Sequence, residues 1–248
     1  MGRLGGAFTV LIMSNDYFQF KQFKIIQEKT AMKVGTDGVL LGAWTDIQNS
    51  KSILDIGTGT GLIALMLAQK SNADIEAVEI NNEAFFEAEQ NIVNSKWDKR
   101  IKIYNISFQE FCKSNKKFDL IVTNPPYFID SMKSPELNRT IARHNNELSY
   151  KDLLLGVDAL LNKNGIFCLI LPYEQTNKFL NMAQDYNLFC TKKTIVKPTL
   201  NKQANRVLLE LQRTKQIIIE NELIIEDKGR HQYSKEYIEL TKDFYLKM

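Results

Sequence analysis

The stretch Ile53-Leu54-Asp55-Ile56-Gly57-Thr58-Gly59-Thr60-Gly61 reads as a strand, a glycine turn and a helix N-terminus in succession. Glycines at such a turn accept positive φ and let a ligand approach the backbone. The dinucleotide fingerprint G-x-G-x-x-G, counted from Gly57, puts Leu62 where the third glycine belongs, which argues against a nicotinamide cofactor. Asp55 at the strand end offers a carboxylate to a cationic or hydroxyl-bearing ligand, an unsuitable group for cradling pyrophosphate. The competing reading is a tight turn with no ligand. A second acid weighs against it: Glu79 ends the next apolar run, Ala77-Val78-Glu79-Ile80, where a carboxylate accepts both hydroxyls of a ribose. Together the two acids imply an adenosine-bearing ligand.

The flanking sequence alternates in period. Apolar runs at Ser52–Ile56, Ile75–Ile80, Ile101–Ile106, Leu120–Thr123 and Gly165–Leu171 predict buried strands. Segments with helical spacing lie between them, at Leu62–Ser71, Asn82–Lys96, Phe108–Lys113 and Tyr150–Leu161. This alternation predicts an α/β fold with a mostly parallel sheet covered on both faces. Cys190–Lys197 and Arg206–Gln212 follow with only a short loop between them and predict an antiparallel hairpin closing the sheet. Function then belongs at the carboxyl ends of the parallel strands, beside the topological switch point. Gln216–Glu226, QIIIENELIIE, reads as an added hairpin, with a helix from Ser234 to Leu246 after it.

Composition limits the function classes. The chain has 248 residues, 44% of them hydrophobic and 25% charged, and a net charge of +3. These values describe an ordinary globular protein and announce no nucleic-acid partner by themselves. Cys112, Cys168 and Cys190 show no metal-ligand spacing, and His144 and His231 stand far apart, so neither a disulfide framework nor a metal site is expected and the cytoplasm is the expected compartment. No window reaches the ~20 apolar residues of a membrane span. Residues 1–12 read as an expression scar or an upstream start, with Met13 as a natural beginning. Residues 13–214 read as one catalytic domain and 215–248 as a hairpin and helix appended to it.

The fourth strand runs into Asn124-Pro125-Pro126-Tyr127. Two prolines end the strand in a stiff loop, because they lack backbone N–H groups and hold φ near −65°. Such a loop presents the Asn124 side-chain oxygen and the Pro125 carbonyl as two fixed acceptors for a planar NH2 group, with the Tyr127 ring beside them as a stacking surface.

Asp55-x-Gly57-x-Gly59-x-Gly61 together with Asn124-Pro125-Pro126-Tyr127 resembles the S-adenosylmethionine-dependent amino-methyltransferases. Ala31–Trp44, Leu65–Gln69 and Asn205–Leu209 are similar to segments of the bacterial transfer RNA (adenine-N6)-methyltransferases that act on the adenine 3′ of the valine anticodon. The resemblance runs from Tyr17 to Arg213 and implies a Rossmann-like class I methyltransferase fold of seven strands, one of them antiparallel. It implies a catalytic group of Asn124, Pro125, Pro126 and Tyr127. It also implies S-adenosyl-L-methionine lying over Asp55, Gly57, Thr58, Gly59 and Gly61, with Glu79 on the ribose and Ser107 and Phe108 bordering the adenine. Close relatives carry an Asp where Ser107 stands. Lys33, Thr36 and Asp37 close the methionine end by the same likeness, next to Asn124.

The expected partner is transfer RNA, bound by a monomer, with Arg139, Arg143, Lys192, Lys193 and Arg206 as candidate phosphate contacts. The same acceptor geometry serves N5-methylation of a protein glutamine, which remains the enzymatic alternative. A catalytically silent RNA-binding module and an NAD-dependent oxidoreductase are the alternatives from other classes.

Overall fold

A computed structural model describes residues 16–30, 32–125 and 148–247. The chain opens with a small hairpin, β1 (Tyr17–Gln19) and β2 (Lys24–Ile26), then helix α1 (Thr36–Trp44). The alternating core follows: β3 (Ser52–Ile56), α2 (Leu62–Lys70), β4 (Asp74–Val78), α3 (Asn82–Val93), β5 (Ile101–Tyr104), α4 (Phe108–Phe111) and β6 (Phe118–Thr123). After the segment outside the described residues come α5 (Tyr150–Leu160), β7 (Leu161–Pro172), α6 (Thr176–Gln184), β8 (Phe189–Thr199) and β9 (Arg206–Gln212). The chain then forms β10 (Ile219–Gly229), β11 (Gln232–Tyr233) and α7 (Lys235–Thr241).

The main sheet has the order β11-β10-β8-β9-β7-β6-β3-β4-β5. Strands β3 to β7 are parallel to one another, while β9 runs antiparallel between β7 and β8. The chain moves outward from β3 through β4 to β5 and returns on the other side of β3 as β6. The switch point therefore lies between β3 and β6, beyond Ile56 and its register partner Thr123.

Strand residues divide by parity between two apolar layers. Ile166, Cys168 and Ile170 of β7 pack in one core with α1, α2 and the N-terminal hairpin, and Phe167, Leu169 and Leu171 pack in the other with α5 and α6. Both faces are covered, so the strands read as unbroken apolar runs rather than alternating ones.

Two expectations need correction. Gln216–Glu226 does not fold as a hairpin: β10 is one long strand added parallel to β8, and only β11 folds back on it. The seven-stranded core is thereby widened to nine strands. The reason lies in its alternation. Leu223 sits opposite Val196 in the same core, while Glu220 and Glu222 reach Lys193 and Lys197 at 2.8 and 2.7 Å. The terminal helix is also shorter than Ser234–Leu246. Ser234 caps it by accepting from the Tyr237 N–H, and after Thr241 the chain turns so that Tyr245 bridges Phe20 of the N-terminal region. Residues 1–12 lie outside the described residues.

Candidate active site

Gly57, Gly59 and Gly61 adopt φ of 68°, 57° and 81°. A side chain at any of them would be strained, and this fixes the residue type independently of space. The turn is pinned from below, because the N–H groups of Gly57 and Thr58 donate to the Val78 carbonyl at 2.9 and 3.1 Å. Above Gly57 and Gly59, the position of a Cβ would meet nothing within 4 Å. The backbone there borders open space.

Asp55 is fully buried and faces inward. Its Oδ2 accepts from Thr58 Oγ1 at 2.6 Å and from the Ala64 N–H at 3.1 Å, joining the turn to the first turn of α2. The reading of this carboxylate as a ligand contact is therefore corrected. Asp55 shapes the turn from behind and lines neither cavity. Burial pushes its pKa up to about 7, against the lowering effect of those two hydrogen bonds.

Glu79 stands one residue past β4. Its Oε2 accepts from the Gly59 N–H at 2.9 Å and its Oε1 from the Asn81 N–H at 2.8 Å. Asn105 holds the strand end by donating to the Glu79 carbonyl at 2.9 Å. The carboxylate is thus fixed at the rim of a cavity of about 340 Å³ that also contains Ile80, Ser107, Phe108 and Pro125. Ser107 Oγ is engaged as the N-cap acceptor of α4, receiving the Glu110 N–H at 3.1 Å. The Phe108 ring packs beneath against Gly156 of α5, where an added Cβ would lie 2.3 Å from it.

A second cavity, of about 490 Å³, opens on the other side of the glycine turn. Lys33, Thr36 and Asp37 line it from the start of α1, and Thr58, Thr60, Asn205 and Arg206 line it from the sheet side. Asp37 Oδ2 accepts from Arg206 Nε at 2.9 Å, so this wall is an ion pair. Met32, Gly57, Gly59 and Asn124 belong to both cavities. Asn124 follows Thr123, whose Oγ1 donates to the Ile56 carbonyl at 2.9 Å, and this stitch between β6 and β3 fixes Asn124 at the junction.

The structure brings together Lys33, Thr36, Asp37, Gly57, Thr58, Gly59, Glu79, Ser107, Phe108, Asn124 and Pro125 around the two cavities. Pro126, Tyr127, Arg139 and Arg143 lie outside the described residues. Arg206, expected on RNA, is instead a cavity residue. Lys192 and Lys193 lie three to four residues down β8 from Val196, the register partner of Arg206, roughly 10–13 Å toward the opposite end of the sheet. Lys192 Nζ sits 4.5 Å from the Trp44 ring centroid and Lys193 is paired with Glu220. The basic hairpin is partly neutralised in place, since β10 contributes Glu220 and Glu222 to Lys193 and Lys197 of β8.

Sequence reading missed Met32, Asn81 and Asn205. Asn81 was legible as a helix cap, and its Oδ1 accepts from the Ala84 N–H at 2.9 Å; Met32 and Asn205 lie in the stretches Ala31–Trp44 and Asn205–Leu209 that carry the resemblance, which gave neither a role. Among the described residues, no group of His, Cys, Asp and Glu is arranged to hold a metal, and no helix is long and apolar enough to cross a membrane.

Residues 31–156 match the sequence profile of the methyltransferase small domain family. The tRNA1(Val) (adenine(37)-N6)-methyltransferase of Bacteroides fragilis is 47% identical, over 95% of this chain and all of its own length. The enzyme of that name from Flavobacterium psychrophilum is 48% identical over 93% of this chain, again across its full length. Among solved structures, a predicted O-methyltransferase from Agrobacterium tumefaciens superposes with a TM-score of 0.65 at 16% identity, covering 84% of this chain and 96% of that one. A putative RNA methyltransferase from Pyrococcus horikoshii gives a TM-score of 0.53 at 16% identity, covering 71% of this chain and 82% of its own. These two likenesses are of fold.

Proposed function

This chain belongs to the methyltransferase small domain family, and from that premise we infer that it methylates the exocyclic N6 amine of an adenine in transfer RNA, the adenine 3′ of the anticodon of valine tRNA. S-adenosylmethionine supplies an electrophilic sulfonium methyl group. The residues present fit that cofactor. The paired cavities meet over glycines whose missing Cβ atoms leave the space open, one half has a fixed carboxylate in Glu79, and the other carries the Lys33 and Asp37 charges. Glu79 would hold the ribose hydroxyls, Ser107 and Phe108 would flank the adenine, and Lys33, Thr36 and Asp37 would hold the amino-acid end.

The observation that carries the mechanism is Asn124, at the junction of the two halves. An amine conjugated to a purine is a weak nucleophile, because its lone pair is delocalised into the ring. Accepting both N–H bonds at the Asn124 oxygen and the Pro125 carbonyl draws that nitrogen toward a tetrahedral geometry and aims its lone pair along the line of transfer. Positioning and fixed dipoles therefore supply the catalysis; the methyl leaves sulfur as it joins nitrogen, and the nitrogen, positively charged at that point, readily gives up one proton, so no strong base is required. Tyr127 offers the extruded base a stacking surface. The adenine lies in a loop, which costs less to unstack than a paired base.

We assign the main phosphate contacts to Arg139 and Arg143, which follow Tyr127 in sequence; the intramolecular partners of Lys192, Lys193 and Arg206 support a smaller part for them. Residues 13–214 form the catalytic domain in this reading, and the pairing of β10 with β8 supports treating 215–248 as part of the same domain. We take a monomer as the acting form, and the transfer RNA substrate supports the cytoplasm as its place.

Asn124→Ala is expected to keep its affinity for S-adenosylmethionine and to lower methyl transfer about 10²–10³-fold, because it removes a transition-state contact and spares the glycine turn. Calorimetry and a labelled-methyl assay on transfer RNA measure the two quantities; equal turnover by variant and parent would remove Asn124 from the mechanism.

A further inference from the structure

Helix α3 buries two polar side chains one turn apart, Glu87 at 5% and Asn91 at 2% exposure. Burying such groups is costly unless every hydrogen bond is made. Here the bonds go to one segment. Glu87 accepts the N–H groups of Lys29 and Thr30 on separate oxygens, at 2.5 and 2.9 Å. Asn91 Oδ1 accepts the Ile26 N–H at 2.7 Å, and its Nδ2 donates to the carbonyls of Ile26 and Thr60 at 3.0 and 2.9 Å. Gln27, also buried, closes the far end by accepting the Val34 N–H at 2.7 Å.

The segment so held lines both cavities. Thr30 borders the half with Glu79, Met32 borders both halves, and Lys33 and Val34 border the half with Asp37. Thr60, the other partner of Asn91, belongs to the glycine turn. One amide thus connects the floor of the site to a wall made from chain that precedes the methyltransferase core.

We propose that Glu87 and Asn91 are positioning residues which fix residues 26–30 and 32–34 as a wall shared by the two halves of the cofactor cavity, with Asn91 setting its height above the glycine turn. Neither touches the reacting atoms. Their effect is on the pocket's shape, so they govern cofactor affinity and leave the methyl-transfer step itself alone. The inference rests on the functional reading above, and the experiment separates the two.

The full chain is titrated with S-adenosylmethionine by calorimetry well below its Tm, as parent, Asn91→Leu, Glu87→Gln and Asn162→Ala. The last variant is the structural control: Asn162 donates to Asp119 at 2.7 Å at the opposite end of the sheet. Asn91→Leu and Glu87→Gln are expected to weaken cofactor binding about tenfold or more, with kcat at saturating cofactor within about threefold of the parent. Asn162→Ala is expected to lower Tm without changing cofactor affinity. If Asn91→Leu does not fold, Asn91→Ser and Glu87→Gln carry the test. Unchanged affinity in these variants, or equal weakening by Asn162→Ala, would overturn the proposal. A parent that does not bind the cofactor would overturn the functional reading instead.

Discussion

The carboxyl group of Asp55 has no exposure to solvent, and its Oδ1 has no hydrogen-bond partner among the described residues. Burial, opposed by its bonds to Thr58 and Ala64, raises its pKa from 3.8 to about 7. Between those values the folded protein keeps a proton that the unfolded chain has released, so stability falls as pH rises through this window and the loss is complete above about pH 7. In Asp55→Asn a single amide oxygen can take both bonds that Oδ2 accepts, while nothing ionises. The Tm of the variant minus that of the parent is therefore expected to rise from pH 4 to pH 7. Thermal melts across that range measure it, and a flat difference would show that Asp55 does not titrate there. The identity of Asp55 was plain in the sequence; its inward orientation was not. A carboxylate at a strand end looks the same in a linear string whether it faces a ligand or the N-terminus of the next helix.

At the scale of elements, the joint between α4 and α5 shapes the cavity that Glu79 borders. A Cβ on Gly156 would lie 2.3 and 2.6 Å from two Phe108 ring atoms and 2.7 Å from Cys112 Sγ. Gly156→Ala is expected to cost ~1–3 kcal/mol by overpacking and to weaken cofactor binding as the Phe108 ring is displaced. Denaturant titration and calorimetry check the two effects, and intact binding would show that the ring yields without disturbing the cavity.

The alternating core was legible because Ile53, Leu120 and Phe167 sit in runs dense in β-branched and aromatic residues between amphipathic helices. The glycine turn and Asn124 were legible because they break those runs with residues of special φ or no N–H. By contrast, β1 and β2 are three residues each and have no period long enough to read. Helix α1 is buried from Gly38 to Trp44, so it carries no amphipathic signature. The wall at residues 26–30 and 32–34 was invisible for a related reason, since the side chains that hold it belong to α3, 57 to 65 residues away.

For the whole molecule, the tail is part of the core. Leu223, Tyr237 and Phe244 are all buried in the layer that also holds Phe20 and Phe23. Lys21 donates to the Lys242 carbonyl at 2.5 Å, and its N–H to the Phe244 carbonyl at 2.8 Å. Deleting residues 216–248 is expected to lower Tm by ~10 °C or more, counting the three buried side chains alone. A scanning calorimetry trace of the truncated chain gives the answer; an unchanged Tm would mean that the tail is ornamental to stability. The sequence suggested an appendage here because its Glu-rich alternation resembles a solvated hairpin, and only the lysines of β8 reveal what those glutamates face. The bond between Lys21 and Lys242 spans 221 positions. A ribosome delivers the amino end first, so the hairpin at Tyr17–Ile26 waits for its anchor until Lys242 and Phe244 have emerged, and a nascent polypeptide lacks the Ile225 wall of the chamber beside Asp37 until that strand has been translated.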